Sequence, residues 1–130
     1  MADTVGVDFG TATTLVSEPA AVLPLGRATN GLPSVVRVAD GALLVGEDAE
    51  EVSPDQVIRS VKRAITERRD VFTLARPDSD ETLEVHADDA IAAVLGETLD
   101  RAGRAGVALD GPRPVRLGCP AMWDGAQRRR

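Results

Sequence analysis

Residues 5–14, Val-Gly-Val-Asp-Phe-Gly-Thr-Ala-Thr-Thr, carry the residue types that phosphate chemistry requires. An apolar run leads into Asp8, then Gly10, then hydroxyl residues. Gly10 permits a bend that a side chain would obstruct. A bend of this kind aims successive backbone N–H groups at one point, which is how a loop cradles an anion. A carboxylate beside that point suits Mg²⁺, an ion that keeps several waters and bridges to phosphate oxygens. Residues 8–14 are therefore read as a holder of nucleotide phosphates. The same residues also fit an ordinary hairpin, because Gly and Asp are common turn formers, and the local pattern leaves both readings open.

Lys62 is the second candidate. Residues 54–65 are expected to form a helix, with Ser53 as cap and Pro54 at the first helical position. At about 100° per residue, Val57, Ile58, Val61, Ala64 and Ile65 share one face, and Arg59 and Arg63 fall opposite. Lys62 falls at the rim, where its stem can lie on apolar surface and its ammonium at a cleft edge. One reading is a solvated surface lysine. The other is a cation aimed at the oxygens of a transferring phosphoryl group, where preorganised charge contributes most.

The remaining reactive residues point elsewhere. His86 and Cys119 are the single residues of their kinds and lie far apart, so no metal-ligand cluster or Ser-His-Asp set is read. Cys119 follows an apolar strand and reads as a small buried residue rather than a nucleophile. One cysteine allows no internal disulfide, which fits a reducing compartment. His86 reads as a surface or capping residue. A net charge of −6 argues against nucleic acid as the main partner. The three terminal arginines, from Arg128 to Arg130, read as a solvated helix end. With aromatics at only 2%, the core must be aliphatic and no stacking surface for single strands exists.

The chain of 130 residues suits one modest domain. A strand begins near the N-terminus, so no cleavable leader is expected. No run approaches the ~18 apolar residues of a membrane span. A cytoplasmic protein without membrane contact is expected. Strands are expected at 4–9, 13–17, 34–39 and 43–45, with an edge strand in 20–25 limited by Pro24 and a loop over 27–33. An acidic helical segment follows at 46–52. A second hairpin pairs 71–75 with 82–85 around residues 77–80. The clearest helix covers 88–102, from the spacing of Ile91, Val94, Leu95, Thr98, Leu99 and Ala102, with Gly103 and Gly106 ending it. A strand at 113–118 and a helix from Asp124 complete an α/β layered pattern.

Four blocks in order give a resemblance. Gly6-Val7-Asp8-Phe9-Gly10-Thr11-Ala12-Thr13-Thr14 comes first. Leu32-Pro33-Ser34-Val35-Val36 is then followed by Leu44-Val45-Gly46-Glu47-Asp48-Ala49. Ser60-Val61-Lys62-Arg63 is the third, and Cys119-Pro120-Ala121-Met122-Trp123-Asp124-Gly125-Ala126-Gln127-Arg128 the fourth. Together they resemble the N-terminal part of the nucleotide-binding domain of DnaK-type heat-shock chaperones, in the actin, sugar-kinase and heat-shock ATPase superfamily. The resemblance implies a ribonuclease-H-like, actin-like ATPase fold. Residues 1–130 would form an incomplete first lobe, with approximately 34–86 an inserted α+β subdomain.

The resemblance also implies roles. Gly10, Thr11, Ala12 and Thr13 would present backbone N–H groups to the phosphates of ATP. Asp8 would hold Mg²⁺ through water, and Lys62 would be the catalytic lysine. Pro120 and Arg128 would form an allosteric relay to a substrate-binding domain. The sequence departs from the family pattern at Ala12, Met122, Trp123 and Gly125, the last three around the relay. The second lobe and the peptide-binding domain, which would meet unfolded client proteins, are expected beyond residue 130. This part alone is expected to bind ATP weakly and hydrolyse none. It is also expected to leave an apolar sheet edge or face uncovered, which favours self-association. Two alternatives stand beside the chaperone ATPase: a non-catalytic interaction or regulatory module that keeps the fold, and another superfamily member such as a sugar kinase or actin-like filament protein.

Overall fold

The computed structural model describes residues 5–10, 13–18, 21–27, 29–39, 42–49, 54–76, 80–106, 115–117 and 125–126. In chain order the strands are β1 (Val5–Phe9), β2 (Thr13–Glu18), β3 (Ala21–Val22), β4 (Leu32–Pro33), β5 (Val36–Ala39), β6 (Ala42–Val45), β7 (Val57–Ile58), β8 (Val71–Ala75), β9 (Thr82–His86) and β10 (Val115–Leu117). Two α-helices are described, α1 (Arg63–Thr66) and α2 (Ala87–Arg104), with short 3-10 turns at Glu47–Ala49 and Pro54–Gln56. The class is α/β.

Alternation builds the first sheet. Val5, Val7 and Phe9 are buried while Asp8 between them is exposed, the two-residue period of a half-buried strand. β10, β1, β2 and β3 lie side by side in that order, and β4 also pairs with β2. β10 runs parallel to β1 and the other pairings are antiparallel. The edge strand expected in 20–25 is only Ala21–Val22, and Pro24 beyond it is exposed. Part of the expected 27–33 loop, Leu32–Pro33, pairs instead with Thr14 and Thr13 of β2.

The second sheet has the order β6-β5-β7, and β8 with β9 forms a third. Here the helix expected over 54–65 is corrected. Its residues form a 3-10 turn, then β7, and only Arg63–Thr66 is α-helical. Ile58 joins one buried cluster with Val36, while Val57 joins another with Val35 and Ala49. Successive strand residues face opposite sides, so β7 buries both, in register with Val36 and Arg37 of β5. Fully burying such a side chain is worth roughly 1.5–3 kcal/mol, and local propensity does not oppose the strand, because a β-branched residue is up to about 0.7 kcal/mol less favourable than Ala in a helix. The five residues assigned to the apolar face, Val57, Ile58, Val61, Ala64 and Ile65, are nevertheless all buried.

α2 ties the layers together. Ala90, Ile91 and Val94 enter the core that also holds Phe9, Val61, Leu74 and Val85. Farther along the helix, Ala102 enters a second core with Val5, Val7, Val16 and Leu32. Thr98 is buried and its hydroxyl donates to the Val94 carbonyl at 2.7 Å. Leu99, expected on the buried stripe, is 41% exposed, because the contact line runs through Val94, Thr98 and Ala102 one position away. The helix passes through Gly103 to Arg104 and stops at Gly106, whose φ of 105° is the left-handed conformation that ends helices.

Candidate functional site at the β1–β2 turn

The turn closes tightly. The Gly10 N–H donates to the Thr13 carbonyl at 3.0 Å. A Cβ at Gly10 would run into that same carbonyl oxygen, so glycine is required by close approach. The Gly10 amide is thereby committed to the turn. Asp8 is exposed on the face of the sheet away from the core, opposite Leu15 in register. Among the described residues no hydrogen bond or ion pair engages its carboxylate. Thr13 is also exposed. Of the expected site residues, Thr11, Ala12, Pro120 and Arg128 lie outside the described residues.

Beneath the turn sits a feature that sequence reasoning missed. Thr14 and Ser34 are fully buried, and their hydroxyls share a hydrogen bond of 2.8 Å. Thr14 pairs with Leu32, so the bond fastens β2 to the segment that leads into β5. No short-range signal marks it, since the partners are 20 residues apart.

Lys62 is half-buried at the N-cap position of α1, where its carbonyl accepts from the Ile65 N–H at 3.1 Å. Its neighbour Val61 is buried in the same core as Phe9, the residue before Gly10. The backbone leading to the turn and the backbone leading to the lysine are thus anchored in one cluster.

A second polar constellation lies toward the far end of α2. Arg101 donates to the Leu25 carbonyl at 2.8 Å, to Glu47 at 2.8 Å and to Glu97 at 2.8 Å. The Arg101 and Glu47 side chains are only 15% and 19% exposed. Burial opposes the charge on Glu47, yet the hydrogen bond from Arg101, the backbone N–H groups of Glu47 and Arg27 and the Arg101 charge hold its carboxyl below the ordinary value. Burial likewise opposes the Arg101 charge, and the hydrogen bonds and charges of Glu97 and Glu47 raise its pKa despite this. Gly46 gives the guanidinium room: it has φ 92°, and a Cβ there would approach Leu32 to 2.8 Å and Arg101 to 3.0 Å. Arg27 and Asp48 pair beside it at 2.6 Å. The neighbouring concavity of ≈ 480 Å³, lined by Arg27, Asp48, Glu97 and Arg104 among others, has charges of both signs. These groups neutralise one another, which marks a structural clasp. The i,i+4 pair of Glu97 with Arg101 was readable in the sequence; the partner Glu47 was not.

Among the described residues no three His, Cys, Asp or Glu side chains gather to hold a metal ion. None of their helices is long and apolar enough to cross a membrane. No protein-family model matches the chain, and no curated protein matches it either.

Proposed function

We propose that this chain is the N-terminal part of the nucleotide-binding domain of a DnaK-type chaperone ATPase, with a ribonuclease-H-like, actin-like fold and an inserted subdomain over approximately 34–86. The strand order β10-β1-β2-β3, an antiparallel hairpin with a later parallel strand beside its first, supports that fold. The observation that carries the functional reading is the shared anchorage of Phe9 and Val61. Through it a tight glycine turn and a half-buried lysine rest on the same core.

In this reading the turn holds the phosphates of ATP. The Gly10 amide is spent on Thr13, so Gly10 acts by shaping the bend, and the phosphate contacts fall to the amides of Thr11, Ala12 and Thr13. The exposed, unengaged carboxylate of Asp8 fits a cation held through water, since Mg²⁺ favours few direct protein ligands. When bound, Mg²⁺ neutralises charge on the phosphate oxygens. The Lys62 ammonium stabilises the charge that develops on the transferred phosphoryl group. A relay through Pro120 and Arg128, client binding by later domains and a cytoplasmic setting belong to the same reading.

The test is made in the full-length protein. Lys62→Ala is expected to abolish ATP turnover and leave ATP binding largely intact; unchanged turnover would remove Lys62 from the mechanism. The 130-residue chain alone is expected to show little or no ATP binding by titration calorimetry, and micromolar affinity would overturn the two-lobe requirement.

A further inference from the structure

Residues of β7, α1 and β8 enclose a groove of ≈ 290 Å³. Ile58, Ala64 and Leu74 contribute buried apolar surface to it, and Arg63, Arg69 and Thr73 stand among its walls. Arg63 and Arg69 both approach Glu67, at 3.9 Å and 3.3 Å. The Arg69 guanidinium also lies over the Phe72 ring, 5.3 Å from its centre. Residues 59–69 contain five basic side chains and one acidic one, within a chain of net charge −6. This stretch is thus rich in positive charge within an acidic chain.

The β8 wall has a second property. The Ala87 N–H donates to the Asp70 carbonyl and the Arg76 N–H to the Glu81 carbonyl. Antiparallel rungs alternate between hydrogen-bonded and open pairs. Phe72 and Leu74 therefore turn their backbone groups toward β9, and Val71, Thr73 and Ala75 turn theirs outward. No strand among the described residues pairs with that outer edge. β8 itself, Val-Phe-Thr-Leu-Ala, has neither a charge nor a proline, the devices that usually keep an edge from pairing. Arginines stand near both of its ends, Arg69 and Arg76.

We propose that this groove binds an extended acidic peptide of a partner protein, which adds as a strand to the outer edge of β8 and sets its carboxylates against Arg63, Arg69 and Arg76. Main-chain pairing supplies affinity in such strand addition and side-chain contacts supply selectivity. The opposite charge of groove and peptide selects the acidic partner over a neutral one.

Fluorescence anisotropy on the whole chain tests this with a labelled Glu-Val-Glu-Val-Glu-Val-Glu peptide. Saturable binding is expected, with at least tenfold weaker binding of the Lys-Val counterpart. An equally charged Glu-Pro repeat, which cannot form a strand ladder, is expected to be weaker by a similar factor. Arg63→Glu combined with Arg69→Glu is expected to weaken binding at least tenfold, and Arg76→Glu severalfold. Thr73→Pro removes an outward N–H without breaking a rung to β9, and is expected to weaken binding with the circular dichroism spectrum unchanged. Should Thr73→Pro unfold the chain, the arginine variants and the Glu-Pro control decide the matter alone. No saturable binding at millimolar peptide, equal affinity for the Glu-Pro repeat, or indifference to the arginine variants would overturn the proposal. A dimer seen by sedimentation without peptide and lost in the arginine variants would give the edge to a second copy instead, and overturn it too.

Discussion

The β1–β2 turn and the Arg101 clasp handle polar groups in opposite ways. At the clasp, Arg101 satisfies Glu47, Glu97 and the Leu25 carbonyl, and little of its charge remains for a ligand. At the turn, the Asp8 carboxylate and the exposed Thr13 are left toward solvent, while the polar groups underneath, Thr14 and Ser34, are closed on each other. The lesson is one of commitment. Polar groups that spend their hydrogen bonds internally fix the fold, and those held rigidly but left open are available for binding. A strongly perturbed pKa often marks a functional site, but here the perturbed pair belongs to the clasp.

The comparison is broken most directly at Arg101. Arg101→Leu is expected to cost about 2–4 kcal/mol in urea unfolding, because it leaves the Glu47 carboxylate and the Leu25 carbonyl without their partner. A cost below about 0.5 kcal/mol would reduce the clasp to a surface ion pair. Gly10→Val is expected to cost about 1–3 kcal/mol in thermal unfolding, within the range of backbone steric clashes. An unchanged melting temperature would show that the turn can open.

Thr14→Val is expected to cost about 1–2 kcal/mol by orphaning the Ser34 hydroxyl. Thr14→Val with Ser34→Ala should cost less than the two single changes added, and strict additivity in that cycle would deny the bond any energetic role.

The pH dependence sharpens the contrast from the other side. The folded pKa of Glu47 is lowered, so its contribution is complete above the pKa of an unfolded glutamate, about 4.3. It is lost as the pH falls through the lowered folded value. Melting temperatures followed from pH 7 to pH 3 should therefore fall less steeply for Glu47→Gln than for the natural chain, and parallel curves would contradict this. The smallest effect is expected at the turn surface, where Asp8→Asn should leave stability within about 0.5 kcal/mol. A larger loss would place Asp8 with the structural groups.

Much of the fold was legible because period-two alternation and three-four spacing report burial directly. β1, β2, the β5–β6 and β8–β9 hairpins and α2 emerge where their apolar residues predict. The 54–65 segment shows the limit: its apolar residues were identified correctly and its conformation was not. Val57 and Ile58 can bury side by side on a helix or on opposite faces of a strand, and the pairing with Val36 and Arg37 chose the strand. Gly10 was legible from its bend, whereas the hydrogen bond its N–H donates to the Thr13 carbonyl was not.

The residue order alone determined most of the side chains that leave water and that glycine must stand at the β1–β2 turn. Only tertiary structure decided that Val61 and Phe9 share a core, that Thr14 finds Ser34, and that Arg101 finds Glu47 across 54 positions. The physical reason is range. Alternation and turn chemistry act between neighbours along the chain, while the partner of a buried hydroxyl or guanidinium is chosen by whichever distant group the packed layers bring within about 3 Å.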